Sequence, residues 1–100
     1  MAQLQIVYWR DIPASLTVKT GRRNLAKREL SLRFIEAIDM TAMRTGAAES
    51  EDYLAEWRKA DPIEVSDDLE AEADKAAAQL EAEYNKERLI ALINAEGREA

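Results

Sequence analysis

The apolar residues of this 100-residue chain change their period once, near Gly21, and that change dictates the class of fold open to it. Before Gly21 they alternate: Leu4, Ile6 and Tyr8 with Gln3, Gln5, Val7 and Trp9, then Leu16 and Val18 with Ser15, Thr17 and Lys19. Side chains of a strand repeat every two residues, so 3–20 reads as a hairpin. Its first strand is apolar on one face and, at Trp9, on both, which marks it as central. Pro13 has no amide to give a ladder and places the bend between Arg10 and Ala14.

Beyond Gly21 the spacing is helical. Leu30, Phe34, Ile35, Ile38 and Ala42 share one stripe of a helix over 23–45, with Gly46 at its left-handed C-terminal position. Ser50, with Glu51 and Asp52 behind it, opens a short helix over 50–60 that Pro62 must end. Ile63, Glu64 and Val65 form a short strand over 63–65. Asp67 and Glu70 have the spacing of a capping box for a C-terminal helix over 67–95, with Ser66 as another cap. Leu69, Ala73, Ala76, Ala77, Leu80 and Tyr84 line one side of that helix. The apolar set then shifts to Leu89, Ile90, Leu92 and Ile93, which predicts a kink or break near Asn85 and a frayed tail from Glu96.

The order strand, strand, helix, helix, strand, helix predicts a single α+β domain over 1–100. Its sheet is expected to be small, three-stranded and antiparallel, in the order 2-1-3, packed with two or three helices. With 47% hydrophobic and 34% charged residues, such a chain builds one core and leaves little room for a large internal cavity.

The sequence contains no cysteine and no histidine, so thiol chemistry, disulfides, histidine triads and zinc fingers are outside its reach. A metal would have only oxygen ligands, and the acidic run Asp67, Asp68, Glu70, Glu72 and Asp74 is better explained as the negative first turns of a helix. No catalytic residue, cofactor site or metal ligand is assigned. Met1 to Trp9 lacks the basic and long apolar regions of a secretory signal, and no run approaches the roughly 20 apolar residues of a membrane span. The expected compartment is the cytoplasm, without a membrane.

Charge is divided along the chain. Residues 1–45 hold eight Lys and Arg against four Asp and Glu, whereas residues 46–100 hold six against sixteen. The basic share gathers at Lys19, Arg22, Arg23, Lys27, Arg28 and Arg33. Gly21, Arg22, Arg23, Asn24, Lys27 and Arg28 thus form a candidate contact for an anion or an acidic protein. No aromatic residue interleaves with these cations and the net charge is −6, which argues against nucleic acid. A second candidate is the end of the first strand. There Tyr8, Trp9, Arg10 and Asp11 either anchor a protein partner or, more simply, Tyr8 and Trp9 complete a central strand while Arg10 and Asp11 fix its turn.

The runs Ile6 to Ala14, Gly21-Arg22-Arg23, Lys27-Arg28, Arg33-Phe34-Ile35, Ala37-Ile38-Asp39, Tyr53-Leu54, Glu56-Trp57 and Asp67 to Ala73 resemble short alphaproteobacterial members of the bacterial virulence factor family. The Tyr8-Trp9-Arg10-Asp11-Ile12-Pro13 stretch is the most specific of them. The family's name describes a phenotype and implies no reaction, so no catalytic residue carries over. Its members tend to be encoded near folate-dependent and corrinoid methyl-transfer enzymes, which implies an accessory role in one-carbon metabolism. The expected function is therefore a non-catalytic cytoplasmic accessory protein that binds another protein through Trp9, Arg10, Asp11, Arg22, Arg23, Lys27 and Arg28. The alternatives are a small-ligand or anion-binding domain with weak enzymatic potential and a nucleic-acid-associated regulator.

Overall fold

A computed structural model describes residues 2–21, 24–46 and 51–98. The chain runs β1 (Ala2–Trp9), β2 (Ile12–Thr20), β3 (Asn24–Glu29), α1 (Leu32–Thr45), α2 (Asp52–Ala55), β4 (Trp57–Lys59), β5 (Ile63–Val65), α3 (Leu69–Glu83) and α4 (Lys86–Asn94). It is an α+β fold with an antiparallel sheet, as the sequence predicts. The sheet is larger than expected: β3-β2-β1-β4, with β5 also paired to β1.

Two segments read as helix are strands. Asn24 to Glu29, expected at the start of a helix over 23–45, pairs residue by residue with β2, from Thr20↔Asn24 to Ser15↔Glu29. Leu25, Ala26, Lys27, Arg28 and Glu29 all favour helix intrinsically, but the propensity differences are a few tenths of a kcal/mol per residue and a six-residue ladder outweighs them. Trp57 to Lys59, expected at the end of a helix over 50–60, instead pairs with Val7 to Trp9, leaving α2 with a single turn. Ser50, the expected cap of that helix, lies outside the described residues.

Strand β5 does pair antiparallel with β1, at Ala2 to Leu4. β4 and β5 together line one edge of β1, interrupted at Ala60 to Pro62. Pro62 has no amide for a ladder. The gap in front of it is bridged by the Ala60 amide donating to the Ile6 carbonyl (2.9 Å) and by Gln5 Nε2 donating to the Ala60 carbonyl (3.1 Å).

The β1–β2 connection is shorter than the expected five residues. Arg10 and Asp11 alone make the turn, and Pro13 lies within β2, opposite Tyr8 at a shift in register. The β3 ladder begins only at Ser15, so Pro13 sits past its end, where a missing amide costs least.

The pleat separates the two faces. Leu4, Ile6, Leu16, Val18 and Ala26 point toward α3, whose Ala73, Ala76 and Leu80 complete the core. The opposite face carries Gln3, Gln5, Val7, Thr17, Lys19, Leu25 and Lys27, none of them buried. Beyond the Trp9 end of the sheet, α1 packs on α4 and on the end of β2, and Phe34, Ala37, Ile38, Thr41 and Ala42 face inward. Of the predicted stripe, Ile35 is the exception and stays exposed.

The C-terminal helix is broken where the apolar phase shifts. Tyr84 ends α3, and Asn85 caps α4 by accepting from the Arg88 amide (2.9 Å). The cap of α3 is Asp68, which accepts from the Ala71 amide, one residue after the expected Asp67.

Candidate functional site

Those of the predicted contact residues that the structure describes do not form one surface. Trp9 is wholly buried, its indole N–H donating to the Tyr53 carbonyl (2.8 Å) and its ring lying 5.9 Å from that of Tyr53. It is a core residue and presents nothing to a partner. Arg10 lies over the Trp9 ring at 4.9 Å, donates to the Glu96 carbonyl (2.6 Å) and stands 3.8 Å from Glu56. Its side chain is only 11% exposed. Asp11 accepts from Arg58 (3.3 Å), and its amide donates to the Gly97 carbonyl (2.8 Å). The turn is thereby tied to β4 and to the residues after α4.

The basic group is divided as well. Arg28 faces α3, where it bonds Glu70 and lies 2.8 Å from Asp74. Those hydrogen bonds push the guanidinium further above its already high range, chiefly through Glu70. Two members of the acidic run thus answer a basic residue of β3. Lys27, on the opposite face of the same strand, is exposed. Arg22 and Arg23 lie outside the described residues. Among the described residues no group of three or more carboxylates could hold a metal ion, and no helix is long and apolar enough to cross a membrane.

What the sequence reading did not single out is the outward face of α1. Leu32 is 69% exposed and Met43 74%, with Ile35 and Met40 also open to solvent. At 100° per residue Leu32, Glu36, Asp39 and Met43 fall on one line of the helix, with Ile35 and Met40 at its margins. Beside this ridge lie two hollows. One, of about 300 Å³, is lined by Asp39, Ala42, Met43 and Tyr53. The other, of about 160 Å³, lies between α1 and α4, with Ala37, Met40, Leu89, Ile90 and Ile93 as its apolar lining and Arg33, Glu36 and Lys86 around them. A signal for the ridge was present, since Leu32 and Met43 are apolar and lie opposite the Phe34, Ala37 and Thr41 side of the helix.

A second feature lies where α3 passes the edge of β1. A groove of about 200 Å³ has Leu4, Ile6, Ile63, Ala76 and Leu80 as its apolar part and Tyr8, Gln79, Glu83 and Tyr84 at its polar side. Each tyrosine carries an arginine on its ring, Arg58 at 4.6 Å over Tyr8 and Arg88 at 3.9 Å over Tyr84. Burial raises the Tyr8 hydroxyl above its ordinary range, and Arg58 offsets only part of that rise.

The fold and these surfaces define a small α+β protein that leaves an apolar helix ridge open beside an antiparallel sheet. A family model described as "Virulence factor" matches residues 7–93, and the chain belongs to the virulence factor family, as its Tyr8 to Pro13 run and later stretches suggested. No curated protein and no solved structure matches it significantly.

Proposed function

We propose that this virulence factor family protein is a non-catalytic cytoplasmic accessory protein that holds another protein on the outward face of α1. The observation that carries this reading is the exposure of Leu32, Met40 and Met43 on one helix, beside hollows that apolar side chains of a partner would fill. Clustered apolar side chains of this kind cost solubility in a chain that binds nothing. Glu36 and Asp39 lie on the same ridge without an ion pair among the described residues, so the partner segment is amphipathic and carries Lys or Arg beside its apolar anchors. An enzyme of folate- or corrinoid-dependent one-carbon metabolism is the proposed partner, and the support for that assignment is the family resemblance alone.

The test is a photo-crosslinking residue placed at Met43, or at Lys27 as a control, in the native bacterium. Met43 should give one discrete adduct, identified by mass spectrometry as a one-carbon enzyme and lost with Leu32→Lys, and Lys27 should give none. An adduct with another protein would remove the one-carbon assignment. No adduct at Met43, or one indifferent to Leu32→Lys, would remove the docking face.

A further inference from the structure

The groove between β1 and α3 is independent of the α1 ridge and has its own chemistry. Leu4 and Ile6 belong to the strand face that α3 covers, yet both are only half-buried, and Ile63 opposite Leu4 is more than half exposed. The opening has a structural cause. Ala76 contributes only a methyl group from α3, and the edge of β1 is occupied by two short strands broken at Pro62 rather than by one long one. Apolar surface on a central strand is thus left wet in a concave site, where its burial by a ligand would be favourable.

The polar end supplies a donor, Tyr8, and a cation, Arg58, stands on that ring just outside the lining of the groove. The Tyr8 hydroxyl has no hydrogen-bond partner among the described residues and, as a phenol, is protonated and hence a donor at neutral pH. Arg58, stacked on the Tyr8 ring, spends one N–H on the Arg10 carbonyl (3.1 Å) and one on Asp11 (3.3 Å). A guanidinium has five N–H donors and no acceptor, and this one is 51% exposed at the side chain. Glu83, which accepts from Gln79 Nε2 (3.1 Å), brings a negative charge to the same side, and Arg58 and Arg88 bring two positive ones against it.

We propose that this groove binds a small amphipathic monocarboxylate, with its apolar chain on Leu4, Ile6 and Leu80 and its carboxylate bonded to the Tyr8 hydroxyl and the Arg58 guanidinium. The available volume suits a chain or ring of a few carbons. Stacking on the tyrosine limits the motion of the Arg58 group, so less freedom is lost when the anion arrives.

Hexanoate, hexan-1-ol and hexylammonium share one apolar chain and differ in the head group, which makes them the probes. Each is titrated into the ¹⁵N-labelled protein at neutral pH while amide shifts are followed. Hexanoate should bind saturably, moving the amides of Leu4, Ile6, Ile63 and Leu80. Its affinity should fall about tenfold in Tyr8→Phe and in Arg58→Gln, as expected for loss of one charge-assisted hydrogen bond. Tyr8→Phe keeps the ring, and an unchanged spectrum elsewhere shows that the variant is folded. Hexan-1-ol binding as tightly as hexanoate would leave an apolar groove with no carboxylate site. Tighter binding of hexylammonium would make Glu83 the counter-ion and overturn the assignment. So would the absence of any saturable shift, or an affinity for hexanoate that both substitutions leave unchanged.

Discussion

The β1–β2 turn and the outward face of α1 use the same kinds of residue in opposite ways. At the turn, a tryptophan and an arginine, the residues most often found to dominate protein contacts, are directed inward. Trp9 bonds the Tyr53 carbonyl, and Arg10 covers its ring and reaches the Glu96 carbonyl. On α1, leucine and methionine, residues ordinarily buried, face water. Residue type alone therefore misassigns both regions. What separates them is the number of elements that converge: β4, α2 and the residues after α4 all meet at the turn, and no described element covers the α1 ridge.

The largest expected effect tests the turn. Trp9→Ala removes a fully buried ring and leaves the Tyr53 carbonyl without its donor. It should destabilise the fold by about 3 to 5 kcal/mol, a large part of the roughly 5 to 15 kcal/mol available to such a domain. Urea denaturation measures it, and a midpoint close to the parent's would break the contrast by making the turn peripheral.

A smaller effect distinguishes close approach from backbone conformation. Gly97 and Gly21 both have positive φ, 82° and 65°. A Cβ at Gly97 would stand 3.1 Å from Arg10 Cδ and 3.2 Å from Thr41 Cγ2, whereas one at Gly21 would meet nothing within 4 Å. Gly21→Ala should cost about 1 to 2 kcal/mol, for the left-handed backbone alone. Gly97→Ala should cost more, because Arg10 must also give way. Equal losses in parallel denaturation curves would show that the Arg10 contact contributes nothing.

These residues also show how far the fold could be read in the sequence. Alternation located β1 and β2, and the phase shift near Asn85 located the break before α4, because both signals are local. β3 was hidden because Leu25 to Glu29 are good helix residues, and β4 because Trp57 continues the helical spacing of Tyr53 and Leu54; both are made into strands only by ladders to distant partners. The site fared worse. Arg28 looks like an anion contact until α3 brings Glu70 and Asp74 to it across more than 40 residues of sequence. The Tyr8 groove depends on an α3 side chain as small as Ala76 passing a broken strand, which no spacing within the chain announces.

Tyr8 offers a weaker test, by pH. Burial raises its pKa, so the native state holds the phenolic proton more tightly than the unfolded chain, whose tyrosine ionises near pH 10. Its contribution to stability is complete below about pH 10 and is lost as pH rises toward the elevated native value. Tyr8→Phe should therefore flatten the alkaline decline in the urea midpoint between about pH 9 and 11. Equal declines in parent and variant would place the Tyr8 hydroxyl in water instead of half-buried in the groove between β1 and α3.

The smallest effect on folding is expected at the ridge, where it sharpens the contrast most. Leu32 and Met43 have more than two-thirds of their surface in water, so replacing either with lysine removes little buried area. Exposed substitutions of this kind usually stay within about 0.5 kcal/mol. Leu32→Lys and Met43→Lys should therefore leave the denaturation midpoint nearly unchanged, while Leu32→Lys abolishes the partner crosslink formed from position 43, the reverse of the pattern expected for Trp9→Ala. Lysine is the informative choice because Glu36 and Asp39 stand on the same helix line: the new cation pairs with them inside the chain and withdraws the charge a basic partner would need. A clear fall in stability would mean that the ridge packs against part of its own chain, and the contrast between a closed turn and an open helix would then fail at its open end.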